Sequence, residues 1–322
     1  MLAQQNPALS NNAPEENTVS INHTPHNYQA YPGSKYALPH DDLERQRRVL
    51  NSLQEIYLNG PQTFTPALHL KEPLREQDPA RPDQSGSDRQ CFGNRYRTWT
   101  LGPGSCDDRR SFCSYGCGGE PRFRLFPTSP PKNIEFRVQS VTDLPSEWND
   151  TFSLVHQRLL ILALQVPQWP KAIQEIYRVL RPGGWVQFTE STPWRKDKYP
   201  GKPCMEKLTA IYRRLAEYRN LYLDCAYDIP KMLGEAGFVE IRSESRTQLM
   251  GKWAGEVGVA NVTNNVGVFR GIKTPVFAAG GFGYVTSEAE YDALCDGLEK
   301  EWDEIPGSGK DFIITWARKP LV

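Results

Sequence analysis

Three consecutive polar residues follow an apolar segment and could take part in binding or catalysis. His156, Gln157 and Arg158 come directly after residues 152–155. If this segment is a strand of an open α/β sheet, the polar residues lie at its carboxyl edge, where such folds bind ligands. His156 could contact a cofactor or act as a base, but polar residues at this position also cap helices. Arg158 is more typical of a residue that anchors a loop.

Glycines and cysteines upstream suggest two other kinds of site, and both fit poorly. The segment Gly102-Pro-Gly is too short for a dinucleotide-binding turn and lacks the Lys and Ser/Thr of a phosphate loop. Cys106, Cys113 and Cys117 form no paired Cys-x-x-Cys, and no His-x-x-x-His completes a tetrahedral set. A dehydrogenase and an NTPase are therefore disfavoured, and no metal is expected.

The elements around His156 predict an α/β fold. Alternation in Ile134-Glu-Phe-Arg-Val and the apolar run at 152–155 indicate two strands. A helix over 169–180 ends at Arg181-Pro-Gly-Gly, and Trp185-Val-Gln-Phe-Thr-Glu follows as a strand. Strand, helix and strand in this order form a βαβ unit, which builds parallel sheets flanked by helices.

Further helices and strands are predicted towards the C-terminus. Residues 204–223 have the spacing of a helix, Asp228 could cap a shorter helix, and residues 238–241 form a strand. Ser287-Glu-Ala-Glu is a capping box that begins another helix. Residues 312–316 are apolar on both faces, which predicts a strand inserted in the parallel-type sheet rather than at a free end.

Composition divides the chain into four parts. Residues 1–35 are polar and predict a disordered arm, and residues 36–70 carry an N-terminal helix. Residues 71–124 form a linker with an atypical glycine loop, and residues 125–322 form the main domain, with a Gly- and Val-rich cap at about 246–285. Aromatic residues of the cap could line a substrate pocket, although packing on the sheet explains most of them: Trp253, Phe269, Phe277, Phe282 and Tyr284.

The charge balance excludes some classes of partner. Lys and Arg together number 38, as do Asp and Glu, so no global field attracts nucleic acid or an anionic membrane. The N-terminus lacks the pattern of a signal peptide, and no apolar stretch is long enough to span a bilayer. The seven cysteines follow no disulfide framework, so free thiols are expected. We therefore predict a cytoplasmic protein that binds neither nucleic acid in general nor membranes.

Four separated segments resemble one family. Val155-His-Gln-Arg, Leu180-Arg-Pro-Gly-Gly-Trp and Phe312-Ile-Ile-Thr-Trp-Ala-Arg-Lys resemble the middle and end of class I S-adenosylmethionine-dependent methyltransferases. Tyr36-Ala-Leu-Pro-His-Asp-Asp-Leu-Glu resembles the first helix of a filamentous-fungal branch, which includes regulators of secondary metabolism and tailoring enzymes. The resemblance implies a Rossmann-like α/β fold with S-adenosyl-L-methionine as the cofactor.

The cofactor loop of this family departs from its usual form. The family has a strand ending in Leu-Asp-Leu-Gly-x-Gly-x-Gly, whose glycines allow the backbone to approach the ligand. Here Trp99-Thr-Leu-Gly-Pro-Gly stands in that place. Gly102 and Gly104 keep the spacing, but Pro103 lacks an amide donor and the aspartate is missing. Arg124 replaces the acid that holds the ribose hydroxyls in the family.

The genetic code offers one explanation for this loop. Reading the codons of Trp99-Thr-Leu-Gly-Pro-Gly one base earlier forces an Asp and permits Leu-Asp-Leu-Gly-Thr-Gly. Residues 90–124 would then be translated out of frame. The alternative is a divergent member of the family with a rebuilt loop, and both explanations stay open. In either case we expect the chain to bind S-adenosylmethionine weakly or not at all.

The resemblance completes the set of candidate site residues. After the strand at 134–138 the family places an acidic residue and a small apolar residue against the adenosine, and Ser140 and Val141 occupy these positions. The candidate cofactor-binding residues are Gly102, Gly104, Ser140, Val141 and His156. No catalytic residue is assigned, because methyl transfer is a displacement that depends mainly on positioning and desolvation.

The resemblance implies methyl transfer to a small-molecule intermediate of fungal secondary metabolism, at O, N, S or C. The alternative is a protein that keeps the fold, has lost the cofactor and acts as a scaffold or accessory partner of pathway enzymes. The altered loop and Arg124 favour the scaffold. The Leu-Arg-Pro-Gly-Gly segment and the final strand favour descent from an enzyme.

Overall fold

The computed structural model describes residues 90–94, 111–115, 134–194 and 198–322. Its strands in chain order are β1 (Gln90–Asn94), β2 (Ser111–Tyr115), β3 (Ile134–Val138), β4 (Phe152–Arg158), β5 (Leu180–Ser191), β6 (Val239–Leu249) and β7 (Gly309–Arg318). Its helices are α1 (Gln168–Val179), α2 (Pro203–Tyr218), α3 (Cys225–Glu235), α4 (Gly255–Gly271), α5 (Lys273–Ala278) and α6 (Glu288–Asp303).

The described strands form one sheet in the order β3-β2-β1-β4-β5-β7-β6. Strands β1 to β5 are parallel, and the order reverses direction between β1 and β4. Such a reversal is the topological switch point at which open α/β sheets bind ligands. The α/β class and the Rossmann-like arrangement predicted from the sequence are thus confirmed.

Strand β7 lies between β5 and β6, which confirms that the last apolar run is inserted in the sheet. It runs antiparallel to both neighbours, with Gly309 opposite Leu249, and so departs from the parallel direction of β1 to β5. The chain leaves β6 at the carboxyl edge and passes through the cap before it re-enters the sheet. Because β7 starts at that same edge, it can only run back.

Strands β1 and β2 were not predicted from the sequence. Each has only five residues, with Cys, Ser, Gly and Asn in places where a buried strand usually has aliphatic side chains. Their backbones nevertheless pair with β4 and β3, since ladder hydrogen bonds need no particular side chain. The N-terminal arm, the first helix and most of the linker lie outside the described residues.

Helix α1 and strand β5 confirm the predicted βαβ unit. Trp169, Ile173 and Ile176 are fully buried along one face of α1. Residues 181–184 belong to β5 rather than to a separate turn, and the pairing of β4 with β5 shifts register there. A side chain on Gly184 would place its Cβ 2.9 Å from the carbonyl oxygen of Arg181 and 3.1 Å from that of Phe152, so glycine favours the close approach of the two strands.

Of the two helix N-caps predicted towards the C-terminus, the structure confirms one and contradicts the other. Helix α6 starts after Ser287, whose Oγ accepts the amide of Glu290 at 3.2 Å, while the Glu290 carboxylate accepts the amide of Thr286 at 2.9 Å. The predicted capping box is thus confirmed. Asp228 does not cap α3, because the helix already begins at Cys225 and the Asp228 carboxylate is bonded to the hydroxyl of Tyr222.

The cap is helical, although its sequence lacks the apolar periodicity that predicts a helix. Residues 246–249 still belong to β6, so the cap begins after this strand and consists mainly of α4 and α5. Asn261 of α4 donates to the carbonyl of Leu249 at 2.9 Å and accepts from the amide of Gln248 at 2.9 Å. These hydrogen bonds hold the cap at the carboxyl edge of the sheet.

No helix in the described parts of the chain is long and apolar enough to cross a bilayer.

Candidate functional site

The carboxyl ends of the parallel strands bring the predicted polar residues to one edge. Ser140 and Val141 follow β3, His156 lies near the end of β4, and Glu190 lies near the end of β5. Gln157 stands opposite Asn94, the last residue of β1, at the switch point. Gly102, Gly104 and Arg124 lie outside the described residues. The structure thus places Ser140, Val141 and His156 along the edge at which this fold binds ligands.

The turn after β3 exposes one of its two predicted residues and buries the other. Ser140 is exposed, and its Oγ lies 2.8 Å from the Oγ1 of Thr142 and accepts the Thr142 amide at 3.3 Å. Val141 is only 2% exposed and belongs to the hydrophobic core. Ser140 therefore presents a hydroxyl at the edge, whereas Val141 supports the turn from below.

An acid and an arginine of α1 hold the next part of this turn. Glu175 accepts the amide of Leu144 at 2.7 Å, and Arg178 donates to the Leu144 carbonyl at 2.8 Å and to Glu175 at 2.7 Å. The hydrogen bond from Arg178 keeps the pKa of the Glu175 carboxyl below its ordinary value. The sequence analysis did not single out this pair, although the two side chains are three positions apart on a helix.

The end of β4 is polar but buried. Exposed fractions are 7% for His156, zero for Gln157 and 4% for Arg158. Successive strand residues point to opposite faces, so His156 and Arg158 share one face and Gln157 occupies the other. Both polar atoms of the Gln157 amide lack a hydrogen-bond partner within the described structure. A buried unpaired amide is uncommon and often marks a functional position.

Glu190 organises the turn that follows β4. Its two carboxylate oxygens accept the amides of Leu160 at 2.8 Å and Ile161 at 3.3 Å. Leu159 adopts a φ of 53°, which is unusual for a residue with a side chain. Burial raises the pKa of Glu190 to about 8, while the two amides and the charge of Arg158 act in the opposite direction. Burial also lowers the pKa of Arg158 to about 10, with Glu190 opposing it.

A cavity of about 820 Å³ lies beside this edge, between the segment after β5, helix α2 and the cap. It is lined by Trp194, Tyr199, Pro203, Met205, Glu206, Lys207, Thr209, Ala210, Arg213 and Tyr284. Trp194 and Tyr199 pack against Trp302, with ring centroids 4.5 Å and 5.9 Å from that indole. The size and aromatic walls suit a drug-sized organic ligand.

Glu301 of α6 fixes the start of helix α2, which forms one wall of the cavity. This glutamate is only 7% exposed, and its oxygens accept the amides of Cys204 and Met205, each at 2.8 Å. A carboxylate is favourable at this position because the first amides of a helix have no partner within it. Met205 itself lines the cavity.

The aromatic residues of the cap contribute less to this cavity than their number suggests. Of the five considered from sequence, only Tyr284 is among the lining residues. Phe269 and Phe277 are buried in the core, and Phe282 packs against Tyr218 with ring centroids 6.0 Å apart. The cavity depends mainly on Trp194, Tyr199 and α2. An aromatic pair that follows a buried strand at the carboxyl edge was the available sequence signal for this wall.

Comparisons with known proteins identify the same family as the sequence motifs. A family profile described as "Methyltransferase domain" matches residues 124–184. The N-methyltransferase sirN of Leptosphaeria maculans is 25% identical over 90% of this chain and 97% of its own length. The N-methyltransferase gliN of Aspergillus fumigatus is 27% identical over 61% of this chain and 71% of its own length.

One solved structure gives a partial overlay. The phosphoethanolamine N-methyltransferase 2 of Haemonchus contortus, in complex with S-adenosyl-L-methionine, covers 73% of this chain with 16% identity and a TM-score of 0.42. This chain spans 49% of that protein's length. The fold assignment rests instead on the strand order and on the family match. Together these confirm the resemblance to class I methyltransferases of fungal secondary metabolism and support a methyltransferase enzyme.

Proposed function

We propose that this protein transfers a methyl group from S-adenosylmethionine to a nitrogen atom of a small molecule with an aromatic or flat apolar surface, within fungal secondary metabolism. One observation carries the proposal. A cavity of about 820 Å³ with Trp194 and Tyr199 in its wall lies at the same sheet edge as the switch point between β1 and β4. Cofactor and acceptor would then occupy neighbouring positions along one edge.

The cofactor position is supported by polar groups at the carboxyl edge of the parallel strands. Ser140 offers an exposed hydroxyl beside β3, and Gln157 offers an unpaired amide donor and acceptor at the switch point. S-adenosylmethionine carries hydroxyls, an ammonium and a carboxylate, so these groups fit its chemistry. Gly102, Gly104 and His156 complete the proposed contacts. When bound, the cofactor supplies an electrophilic methyl group on a sulfonium.

The acceptor class follows from the cavity walls. Indole and phenol rings bind flat apolar surfaces, and Glu206 and Arg213 add charges among the lining residues. Lys207 is held by Glu290 at 2.9 Å, which reduces its availability to a ligand. Nitrogen is proposed as the acceptor atom because the relatives sirN and gliN are named N-methyltransferases.

The residues of this chain would act mainly by orientation. Ser140 and Gln157 would hold the cofactor, and Trp194 and Tyr199 would hold the acceptor. The sulfonium would supply its methyl group to the acceptor nitrogen by in-line displacement, and the proton of that nitrogen would pass to solvent. Holding the two reactants in line and removing water from between them would supply much of the rate. A dedicated base is optional for this reaction, so we assign no catalytic residue.

A second candidate function is a scaffold or accessory partner of pathway enzymes. It is supported by the altered loop at Gly102-Pro-Gly and by Arg124, both features of the sequence outside the described structure. On this hypothesis the cavity would remain as a feature inherited with the fold.

Methyl transfer to matched acceptors tests the proposal. The purified chain is incubated with S-adenosylmethionine and with an aromatic amine, or with the phenol or thiol of the same ring system. We expect S-adenosylhomocysteine and a methylated amine, detected by mass spectrometry, and little product from the phenol or thiol. Product from the phenol or thiol alone would contradict nitrogen as the acceptor atom. Failure to bind S-adenosylhomocysteine at millimolar concentration would favour the scaffold.

A further inference from the structure

Two buried glutamates outside the predicted site share one unusual arrangement. Glu190 accepts the amides of Leu160 and Ile161, and Glu301 accepts the amides of Cys204 and Met205. In each case both oxygens of one carboxylate bind two consecutive backbone amides from a segment distant in sequence. We propose that Glu190 positions the cofactor side of the site and that Glu301 independently positions the acceptor cavity. This inference rests on the proposed function.

The position of Glu190 ties it to the cofactor side. The turn that it holds continues directly from β4, whose neighbour across the switch point is β1. The amide of Leu159 also donates to the Thr189 carbonyl at 3.0 Å, so this turn is fixed to β5 by both backbone and side chain. A turn with a residue at positive φ needs such external support to keep one conformation. Glu190 thereby determines where the end of β4 presents its polar residues.

The position of Glu301 ties it to the cavity. It holds the first turn of α2, and this helix supplies seven lining residues: Pro203, Met205, Glu206, Lys207, Thr209, Ala210 and Arg213. The following residue, Trp302, packs against Trp194 and Tyr199, which also line the cavity. One short stretch of α6 therefore supports two walls of the cavity.

Two acceptor oxygens distinguish the glutamates from ordinary core residues. Each carboxyl group lies where two backbone donors converge and accepts one amide with each oxygen, whereas a glutamine side chain has only one oxygen. In Glu190→Gln or Glu301→Gln the side-chain amide group would face one backbone amide, donor against donor. Each substitution keeps the size of the side chain, so its effect should be confined to the segment that the glutamate holds.

The first measurement uses hydrogen exchange of the backbone amides in the full chain without ligand. We expect E190Q to accelerate exchange at Leu160 and Ile161 at least tenfold and to leave Cys204 and Met205 unchanged. E301Q should give the opposite pattern. If either Gln variant does not fold, the shorter variants E190D and E301D replace them. These variants keep the carboxyl group but move it away from the two amides, so the same pattern is expected. Exchange that rises equally in both segments, or in neither, would overturn the proposal.

The second measurement asks which ligand each glutamate affects. S-adenosylhomocysteine probes the cofactor side, and the dye 1-anilinonaphthalene-8-sulfonate probes the aromatic cavity. We expect E190Q to weaken S-adenosylhomocysteine at least fivefold with the dye unchanged, and E301Q to weaken the dye at least fivefold with S-adenosylhomocysteine unchanged. A purely structural role would weaken both ligands together, and that result would overturn the inference.

The two measurements separate this inference from the proposed function. If the unaltered chain binds no S-adenosylhomocysteine at all, the proposed function fails for this chain, and the assignment of Glu190 to a cofactor fails with it. The exchange patterns and the response of the dye to E301Q would still decide whether each glutamate positions its own segment.

Discussion

The hydroxyl of Tyr199 binds both backbone groups of Gly309, donating to the carbonyl at 3.1 Å and accepting from the amide at 3.0 Å. Tyr199 lies in the wall of the cavity, and Gly309 is the first residue of β7. A side chain on Gly309 would place its Cβ 2.5 Å from the carbonyl oxygen of Gln248, so β7 can begin there only with glycine. The two residues join the cavity wall to the central sheet.

Removal of this hydroxyl tests the connection. Tyr199→Phe leaves a buried amide and carbonyl unpaired, and we expect the free energy of unfolding to fall by about 1–3 kcal/mol. Chemical denaturation measures this free energy of unfolding for the unaltered chain and the variant. Tyr291→Phe is the matched control, because its buried hydroxyl donates to the Phe269 carbonyl at 2.8 Å. A larger loss in the control than in Tyr199→Phe would contradict the double role of Tyr199.

The indole of Trp194 should determine the affinity of the cavity for aromatic ligands. Its ring lies between the cavity and Trp302, with centroids 4.5 Å apart. Trp194→Phe removes part of that wall, and we expect at least a threefold weaker dissociation constant for 1-anilinonaphthalene-8-sulfonate by fluorescence titration. Trp148→Phe is the control, since Trp148 is equally buried but packs on Phe152, 5.3 Å between centroids, away from the cavity. Equal weakening in both variants would exclude a specific contact.

The sequence predicted the regular parts of the fold well because their signals are local. The helix that buries Trp169, Ile173 and Ile176 and the capping box at Ser287 each lie within a few turns of chain. The direction of β7 could not be read from residues 312–316, because it depends on the edge at which the chain re-enters the sheet. The helical cap was concealed by its glycines and β-branched residues, whose burial depends on partners in α6.

The candidate site was only partly visible in the sequence for a similar reason. Ser140 and His156 could be placed because they follow predicted strands. Glu190 and Glu301 bind backbone amides 29 to 30 and 96 to 97 positions away, respectively. No local pattern reports such bonds, although an acid at the end of the otherwise buried strand β5 was a usable hint. The aromatic wall at Trp194 likewise acquires meaning only beside Trp302.

Glu190 should give the folded protein a characteristic pH dependence. Burial raises its pKa to about 8, above the ordinary value of 4.5. The carboxyl group of Glu190 then binds its proton more tightly in the folded state than in the unfolded state. Its contribution to the free energy of unfolding is therefore fully present below about pH 4.5 and is lost as pH rises through about 8. Each unit of pKa difference corresponds to about 1.4 kcal/mol.

The measurement is the free energy of unfolding of the unaltered chain minus that of Glu190→Gln, from denaturation at several pH values. We expect this difference to fall across the interval from about pH 4.5 to pH 8. Glu301→Gln, which alters a second buried glutamate with the same hydrogen-bond pattern, is measured in parallel to identify effects of other titrating groups. A difference for Glu190→Gln that is flat or rises with pH would show that the glutamate is ionised throughout.

Repair of the cofactor loop decides how far the chain has departed from its family. The changes Trp99→Leu, Thr100→Asp, Pro103→Thr and Cys106→Gly restore Leu-Asp-Leu-Gly-x-Gly-x-Gly, and Arg124→Asp restores an acid for the ribose hydroxyls. Hydrogen bonds to charged groups contribute roughly 1.5–3 kcal/mol, so the acid alone should improve the dissociation constant of S-adenosylmethionine tenfold or more.

Isothermal titration calorimetry of the unaltered chain, of Arg124→Asp and of the fully repaired chain measures the gain from the acid and the further gain from the loop. We expect weak binding by the unaltered chain, with a dissociation constant above the micromolar range, and successive gains in the variants. Micromolar binding by the unaltered chain would refute the defect and leave Gly102 and Gly104 as working parts of a divergent loop, whereas no gain after full repair would favour a scaffold that has lost the cofactor site.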